Sequence, residues 1–287
     1  MKHFLAVDDF SRDEILELLA LARRKSSQSL KGKTLGLVFQ KPSARTRISF
    51  EMSMRQLGGD VIALQDSEIG LGRRESVEDV ALLFSRYMDA VALRVRSHTD
   101  LEEFARYSTV PVINALSDLH HPCQAMADML TIQQKKKQWQ DATVCYVGDG
   151  NNVCRSLVMI CSILGVKIVV SSPKKYMPDV NGYAFDYIQD PAKAVVGADV
   201  VYTDAWVSMG QEAEHMARVE EFSGYRVTAD LLKKAKKDVI FMHCMPVHYG
   251  EEADREVSHG SHSVMIDQAE NRLHVQRAIL AHLIKEK

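Results

Sequence analysis

The sequence predicts an α/β fold of two domains, each with a mainly parallel sheet flanked by helices. The first observation is a strand–loop–helix–strand run over residues 34–64, which makes a βαβ unit and implies parallel pairing. The second is a charged break over 135–141, after which a strand at 143–147, a turn and a helix begin another such unit. The length of 287 residues is ample for two domains with their own cores.

Composition limits the classes of function. Hydrophobic residues make up 46% and charged residues 26%, which is typical of a soluble globular protein and not of disorder. The net charge of -2 favours neither nucleic acid nor a membrane surface as partner, and no apolar run is long enough to span a bilayer. Acidic residues come too early for a signal peptide, and the five cysteines form no Cys-x-x-Cys pair. We therefore expect a cytoplasmic protein.

The first half of the chain alternates strands and helices. Ser11 is the expected cap of an amphipathic helix that runs to Lys25. Ile48, Met52 and Leu57 have the spacing of one helical face. The polar, glycine-containing segment 66–76 is expected to be a mobile surface loop. The other predicted elements are strands at 34–40, 60–64, 90–95 and 110–115 and helices at 77–87 and 101–107.

The loop over 41–47 has the composition of an anion site. Ser43 suits the N-cap of the next helix, where unpaired backbone N–H groups and the positive end of the dipole lie. Arg45 and Arg47 occupy the first turn, where they oppose that dipole, which makes sense if a doubly charged anion binds there. The hydroxyls of Ser43 and Thr46 can donate to phosphate oxygens. The alternative is a helix start with two solvated arginines.

Further polar residues follow later strands, where ligands of open α/β sheets collect. Arg94 and Arg96 end one strand, either as edge solvation or as a second part of the anion site. Pro122 suits the first position of a helix, so His121 and Gln124 flank its start and both can donate hydrogen bonds. A cap or a satisfied surface histidine is the alternative for His121.

Polar residues also follow the strands of the second half of the chain. The pair Gly148-x-Gly150 resembles the opening of a dinucleotide fingerprint, but Val153 replaces the third glycine and no acidic residue ends the next strand, so nucleotide binding is not favoured. Asp204 follows a strand at 199–203, and the Ser-Met-Gly turn at 208–210 opens a helix. A carboxylate and a turn can hold the two ends of a zwitterion. The alternative is an N-cap and a simple turn.

One cysteine follows the last strand, at 238–243. Cys244 is either inert core or a working thiol. His243, Cys244 and His248 suggest zinc, but no fourth ligand has suitable spacing, so we expect no metal. A final helix over 268–285 carries Arg272 near its start.

These motifs together resemble one family. Ser43-x-Arg45-Thr46-Arg47, His121-Pro122-x-Gln124, Asp204 with Ser208-Met209-Gly210, and His243-Cys244-x-Pro246 occur in the chain order of the aspartate/ornithine carbamoyltransferases. The last two resemble the members that act on ornithine. The resemblance covers nearly the whole chain. It implies a carbamoyl-phosphate-binding domain over 1–133, completed by a helix at 268–287, and an ornithine-binding domain over 134–267. It also implies an active site in the cleft between them, and a homotrimer or a multiple of trimers.

The resemblance also assigns residues to substrates. Carbamoyl phosphate would be bound by Ser43, Ala44, Arg45, Thr46, Arg94, His121, Gln124, Cys244, Met245 and Arg272. L-ornithine would be bound by Asn152, Asp204, Ser208 and Met209, and the catalytic set would be Asp204, Cys244, Arg45 and His121. Ala44 and Met245 replace the usual Thr and Leu of the family, at contacts that are largely main-chain. Segment 66–76 matches, loosely, a region that reaches a neighbouring subunit.

The implied reaction is transfer of the carbamoyl group to the δ-amino group of L-ornithine, giving L-citrulline and phosphate, a step of arginine biosynthesis. It requires no metal or nucleotide cofactor. Two alternatives remain at this point. One is a carbamoyltransferase for acetylornithine, putrescine or aspartate, against which the Ser-Met-Gly turn argues. The other is a catalytically silent anion-binding or regulatory paralogue, against which Arg45, His121, Asp204 and Cys244 argue.

Overall fold

The chain divides into two units in this computed structural model, which describes residues 1–24, 29–207 and 212–284. Unit 1 comprises Met1–Ala127 with Glu270–Lys287, and unit 2 comprises Asp128–Ala269. Within the described ranges, every helix is too short or too polar to cross a membrane.

Unit 1 is built around a four-stranded parallel sheet. Ser11 caps the first helix through a capping box with Glu14, as its sequence predicts. The elements are α1 Arg12–Ala22, β1 Thr34–Phe39, α2 Ala44–Gln56, β2 Asp60–Gln65, α3 Asp66–Ile69, α4 Val77–Tyr87, β3 Ala90–Arg94, α5 His98–Tyr107, β4 Val112–Leu116 and α6 Pro122–Lys135, which runs on into unit 2. A 3₁₀ turn at Val7–Asp9 precedes α1.

The strand order of unit 1 decides where its polar loops meet. The order is β2-β1-β3-β4, and all pairs are parallel. The strand that follows β1 in the chain, β2, lies on one side of it, and the next strand, β3, lies on the other side. The direction in which successive strands are added to the sheet therefore changes between β1 and β3. Ligands of open α/β sheets bind outside the carboxyl ends of strands at such a point. The 41–47 loop and Arg94 both lie at this edge of the sheet.

Two expectations for unit 1 need correction. The second helix is present, but Ile48 and Met52 are 60% and 41% exposed, and its buried residues are Thr46, Ser49, Phe50, Ser53 and Met54. The apolar spacing therefore did not identify the inward face. Segment 66–76, predicted to be a mobile surface loop, is mostly exposed but has secondary structure of its own. It contains α3 and a bridge between Leu71 and Glu75, and Ile69 and Leu71 are buried in a hydrophobic cluster with Val77.

Unit 2 is built around a five-stranded parallel sheet in the order β7-β6-β5-β8-β9. The elements are β5 Thr143–Val147, α7 Asn152–Leu164, β6 Lys167–Ser171, β7 Asp186–Tyr187, α8 Pro191–Ala194, β8 Val200–Thr203, α9 His215–Phe222, α10 Ala229–Leu232, β9 Ile240–His243, α11 Arg255–Ser258 and α12 Met265–Leu283, which runs on into unit 1. Short 3₁₀ turns lie at Trp139–Asp141, Lys174–Tyr176, Glu212–Glu214 and Ser223–Tyr225. Here the direction in which successive strands are added changes between β5 and β8. The residues that follow these two strands form the polar edge of unit 2.

Gly150 has a packing role that explains the Gly-x-Gly pair. Its N–H donates to the carbonyl of Tyr176 at 2.9 Å. A Cβ at this position would lie 2.3 Å from that oxygen and 2.4 Å from the nitrogen of Pro178. Any side chain would therefore collide with the backbone of the segment that contains Tyr176 and Pro178. This close approach of two backbone segments explains the glycine without a bound dinucleotide.

Candidate active site

The start of α2 presents two hydroxyls and a guanidinium. Ser43 caps the helix, accepting from the N–H of Thr46 at 3.3 Å and donating to Thr46 Oγ1 at 3.0 Å. Arg272, on α12, donates to the same Oγ1 at 2.9 Å. Thr46 therefore accepts twice, which leaves its own hydroxyl proton to donate. Ala44 is the first residue of the helix, where the backbone N–H has no helical acceptor. The geometry is that of an anion site at a helix N-terminus.

The two arginines of this turn have different surroundings. Arg47 is paired with Glu51 one turn later, Nε to Oε1 2.7 Å. Arg45 is exposed and forms no ion pair with another residue in the described ranges. Arg45 is thus the guanidinium available to an incoming anion, and Arg47 is a surface helix pair.

Arg94 and Arg96 are also distinguished by the fold. Arg94 is only 7% exposed at the carboxyl end of β3. Arg96 is turned toward Asp66, Nη2 to Oδ2 3.3 Å, and is half exposed. Of the two alternatives for this strand end, Arg94 has the placement of a site residue and Arg96 that of a solvated surface pair.

His121 lies with Gln124 at the start of α6, and both are buried. Burial lowers the pKa of His121 well below its usual range, and the positive charges of Arg272 and Arg94 lower it further. His121 is therefore neutral at physiological pH. A neutral imidazole can donate a hydrogen bond to a carbonyl oxygen without adding a third positive charge beside these arginines.

The low pKa of His121 has a consequence for stability. Below a pH of about 6.5 the unfolded chain binds a proton at His121 that the folded protein does not, so the free energy of unfolding falls as pH falls. His121→Gln is expected to remove this contribution and flatten the slope by up to about 1.4 kcal/mol per pH unit. Urea unfolding of both proteins between pH of about 5 and 8 measures it. Identical slopes would show that folded His121 titrates normally.

Asp204 is the centre of the polar edge of unit 2. It is 9% exposed and follows β8. Cys244, after β9, donates its thiol to Asp204 Oδ1 at 2.9 Å. Asn151 donates its amide to Asp204 Oδ2 at 2.8 Å. The carboxylate is thus held in one orientation by donors from two loops, and its remaining lone pairs can accept a proton or an ammonium.

Asn151 is a site residue that the sequence analysis did not identify. It caps α7, accepting from the N–H of Val153 at 2.9 Å and of Cys154 at 3.2 Å, and its amide nitrogen points to Asp204. The predicted neighbour, Asn152, is the half-buried first residue of the helix. The sequence predicted only a turn between the strand at 143–147 and the next helix, and that turn hid the cap. The Asn-Asn pair after a strand and turn was the available signal.

Two buried residues hold the turn that follows β9. His243 Nδ1 accepts from the N–H of Met245 at 2.8 Å, so its proton is assigned to Nε2, which donates to Glu252 Oε1 at 3.1 Å. Both side chains are fully buried. Met245 has φ of +60°, a conformation that costs energy for a non-glycine residue and that this bond helps to hold. The pair therefore fixes the backbone around Cys244 and Met245.

The two hydrogen bonds of His243 also limit whether a metal ion can bind at this turn. Asp204, His243 and Cys244 place potential ligand atoms within 4.8 Å of one another. Both ring nitrogens of His243 are engaged, so a metal here would have to break one of these bonds.

The predicted Ser208 and Met209 lie outside the described residues.

Two family models match the chain. "Aspartate/ornithine carbamoyltransferase, carbamoyl-P binding domain" matches residues 2–134, and "Aspartate/ornithine carbamoyltransferase, Asp/Orn binding domain" matches residues 140–283. The chain belongs to the aspartate/ornithine carbamoyltransferase family.

Relatives of this carbamoyltransferase resemble it from end to end. The ornithine carbamoyltransferase of Archaeoglobus fulgidus is 48% identical over 300 residues, covering 99% of this chain and 98% of the relative. The anabolic ornithine carbamoyltransferase of Pyrococcus furiosus is 46% identical, covering 98% and 95%. A solved structure of the ornithine carbamoyltransferase from Pyrococcus furiosus superposes with a TM-score of 0.95 at 46% identity, covering 99% of this chain and 97% of the other. The two-domain α/β fold predicted from the sequence is confirmed.

Proposed function

We propose that this carbamoyltransferase transfers the carbamoyl group of carbamoyl phosphate to the δ-amino group of L-ornithine, giving L-citrulline and phosphate. The observation that carries the proposal is Asp204, a carboxylate held by Cys244 and Asn151 beyond the sheet of unit 2. It is suited to an amine substrate. Membership of the family and relatives named ornithine carbamoyltransferase support the choice of reaction.

Carbamoyl phosphate is assigned to the anion site of unit 1. Its phosphate is assigned to Ser43, the backbone of Ala44, Arg45 and Thr46, because these groups surround the start of α2. The Ser43 hydroxyl, which donates to Thr46 without ligand, turns to the phosphate when it binds. Its carbamoyl end is assigned to the buried polar residues beside that site and to the main chain after β9. That group comprises Arg94, His121, Gln124, Arg272 and the backbone of Cys244 and Met245.

Ornithine is assigned to Asn152, Asp204, Ser208 and Met209. The δ-amine must be neutral to attack, although a free alkyl ammonium has a pKa of about 10.4. Burial and nearby arginines favour the neutral form. Asp204 orients the amine and accepts its proton, and the thiol of Cys244 is placed to share in that transfer.

The chemical step is attack of the amine on the carbonyl carbon, followed by departure of phosphate. The amine nitrogen forms a bond to the carbonyl carbon, and negative charge develops on the carbonyl oxygen. Arg45, Arg94 and neutral His121 stabilise that oxygen, and in comparable sites one donor contributes about 3–4 kcal/mol. The carbonyl double bond re-forms as the bond between the carbonyl carbon and the phosphate oxygen breaks, and the proton that Asp204 took from the amine passes to the departing phosphate. The residues named here perform every step.

Cys244→Ser tests the amine side of this assignment. The serine hydroxyl has a shorter bond to Cβ and reaches Asp204 less well than the thiol does, so the carboxylate loses part of its orientation. We expect kcat to fall about tenfold, or about 1.4 kcal/mol of transition-state stabilisation. KM for ornithine should change more than KM for carbamoyl phosphate in steady-state assays. Equal changes in the two KM values would contradict the assignment.

The substrate is tested by running four amines side by side. Ornithine, acetylornithine, putrescine and aspartate are each incubated with carbamoyl phosphate, and each carbamoylated product is quantified. Turnover with ornithine alone supports the proposal. Turnover with another of the four amines, and not with ornithine, would identify that amine as the substrate instead. Binding of carbamoyl phosphate without turnover of any amine would favour a silent paralogue.

We also propose a cytoplasmic homotrimer, or a multiple of it, acting in arginine biosynthesis. An odd number of cysteines with no Cys-x-x-Cys pair suits a reducing compartment, and the relative from Pyrococcus furiosus is named anabolic. Large apolar side chains are exposed on α2, on the edge strand β2 and on α4: Ile48, Met52, Ile62, Leu82, Leu83 and Tyr87. Such residues are typical of an interface between copies. Light scattering that gives one chain mass at micromolar concentration would contradict the trimer.

A further inference from the structure

A second cluster of polar side chains lies in unit 2, outside the groups assigned to substrates. His248, Glu251 and Glu252 place one ligand atom each within 4.8 Å of one another. One imidazole and two carboxylates therefore converge on one small region. His215, at the start of α9, lies at its margin, with Nε2 3.2 Å from Glu251 Oε1.

Glu252 is the unusual member of this cluster. It is fully buried, and its Oε1 accepts from the N–H of His248 at 2.6 Å and from His243 Nε2 at 3.1 Å. Its Oε2 is also buried and accepts no hydrogen bond within the part of the chain that the structure describes. The ring nitrogen Nδ1 of His248 is 3.6 Å from this oxygen, which is too long for a hydrogen bond. A buried carboxylate oxygen in this state is costly and calls for a cation.

The other three side chains are open to solvent. The side chains of His248, Glu251 and His215 are 48%, 27% and 46% exposed. An ion can therefore reach the buried Oε2 from outside without unfolding of the chain. The buried carboxylate would form the floor of the site and the exposed side chains its rim.

We propose that His248, Glu251 and Glu252 bind one divalent transition-metal ion of the zinc class, with a water molecule in the fourth position. An imidazole nitrogen with two carboxylate oxygens suits zinc or cobalt, whereas magnesium and calcium prefer oxygen alone. Ligands about 2.0–2.1 Å from a tetrahedral ion lie roughly 3.3 Å apart. The separation between His248 Nδ1 and Glu252 Oε2, 3.6 Å, already approaches that value. The two carboxylates balance the ion's charge.

The ion takes no part in carbamoyl transfer. It ties together the turn that contains His248, Glu251 and Glu252, and Glu252 in turn holds His243, whose Nδ1 accepts from the backbone N–H of Met245. A ligand that binds only the folded state raises stability by mass action. Metal binding is therefore expected to stabilise unit 2 around the turn after β9.

Cobalt is the probe that separates this site from Cys244. The full chain, freed of metal with a chelator, is titrated with Co²⁺ and followed by absorption. We expect visible bands of a tetrahedral ion without the near-ultraviolet band of a thiolate–cobalt bond, because the ligands are nitrogen and oxygen only. His248→Gln should weaken binding at least about tenfold. His259→Gln is the matched control, since His259 is an exposed histidine bonded to Tyr249 outside the cluster, and it should bind as the parent does.

Thermal unfolding gives an independent readout. Zn²⁺ should raise Tm of the parent and of His259→Gln, and should leave Tm of His248→Gln unchanged. Any of three results would overturn the proposal: no cobalt binding at millimolar concentration, equal binding by His248→Gln and the parent, or a thiolate band that Cys244→Ser abolishes. In the last case the ion binds at Asp204 and Cys244 instead.

Discussion

Arg45→Ala is expected to lower kcat/KM for carbamoyl phosphate by about a thousandfold while the fold remains intact. Arg45 is the exposed guanidinium at the start of α2 and forms no ion pair within the described ranges. Its removal takes away a charged donor both to the phosphate and to the developing oxyanion, where one donor contributes about 3–4 kcal/mol. Steady-state assay of citrulline formation measures the loss, and circular dichroism checks the fold.

Arg47→Ala is the matched control for this experiment. It removes the same side chain two residues later on the same helix. Arg47 is paired with Glu51, and such exposed helix pairs contribute about 0.3–0.5 kcal/mol. We expect kcat/KM to change less than about threefold, equivalent to about 0.7 kcal/mol. Equal losses in the two variants would mean that the anion is not bound by Arg45 in particular.

Asp204→Asn is expected to lower kcat by about a hundredfold or more. The carboxylate accepts from Cys244 at 2.9 Å and from Asn151 at 2.8 Å, one on each oxygen. An amide at this position puts an NH₂ group against one of those two donors in either orientation. It also removes the acceptor for the amine proton, and proton transfer by a positioned group typically contributes 10²–10⁴-fold. Single-turnover formation of citrulline measures the effect on chemistry.

The same variant contains its own control. Carbamoyl phosphate is assigned mainly to residues of unit 1 and to main-chain groups, so its affinity in a calorimetric titration should be unchanged in Asp204→Asn. Turnover within about threefold of the parent, a difference of less than about 0.7 kcal/mol, would remove Asp204 from the chemistry. Loss of affinity for both substrates would indicate a general disturbance of the fold.

Local features of the chain were predictable because local energetics determine them. The caps Ser11 and Ser43 and the start of α6 at Pro122 follow from the unpaired donors of a first helical turn. The parallel strands follow from short apolar runs separated by helical segments. The resemblance to a family, rather than any local pattern, indicated Arg272 as a residue for carbamoyl phosphate. Its bond to Thr46, across 226 residues of chain, is a contact that local patterns do not encode.

Other features depend on which strands lie side by side, and residue spacing does not encode that order. Cys244 meets Asp204 because β8 and β9 are neighbours, although the two residues are 40 positions apart. Asn151 reaches Asp204 because β5 lies on the other side of β8. Ile48 and Met52 face outward because the rest of the unit packs against the opposite side of α2. The sequence alone thus determined most of the elements, several of their caps and the residues proposed to bind an anion and an amine. Only the tertiary structure decided which of those residues meet, because non-local contacts follow from strand order.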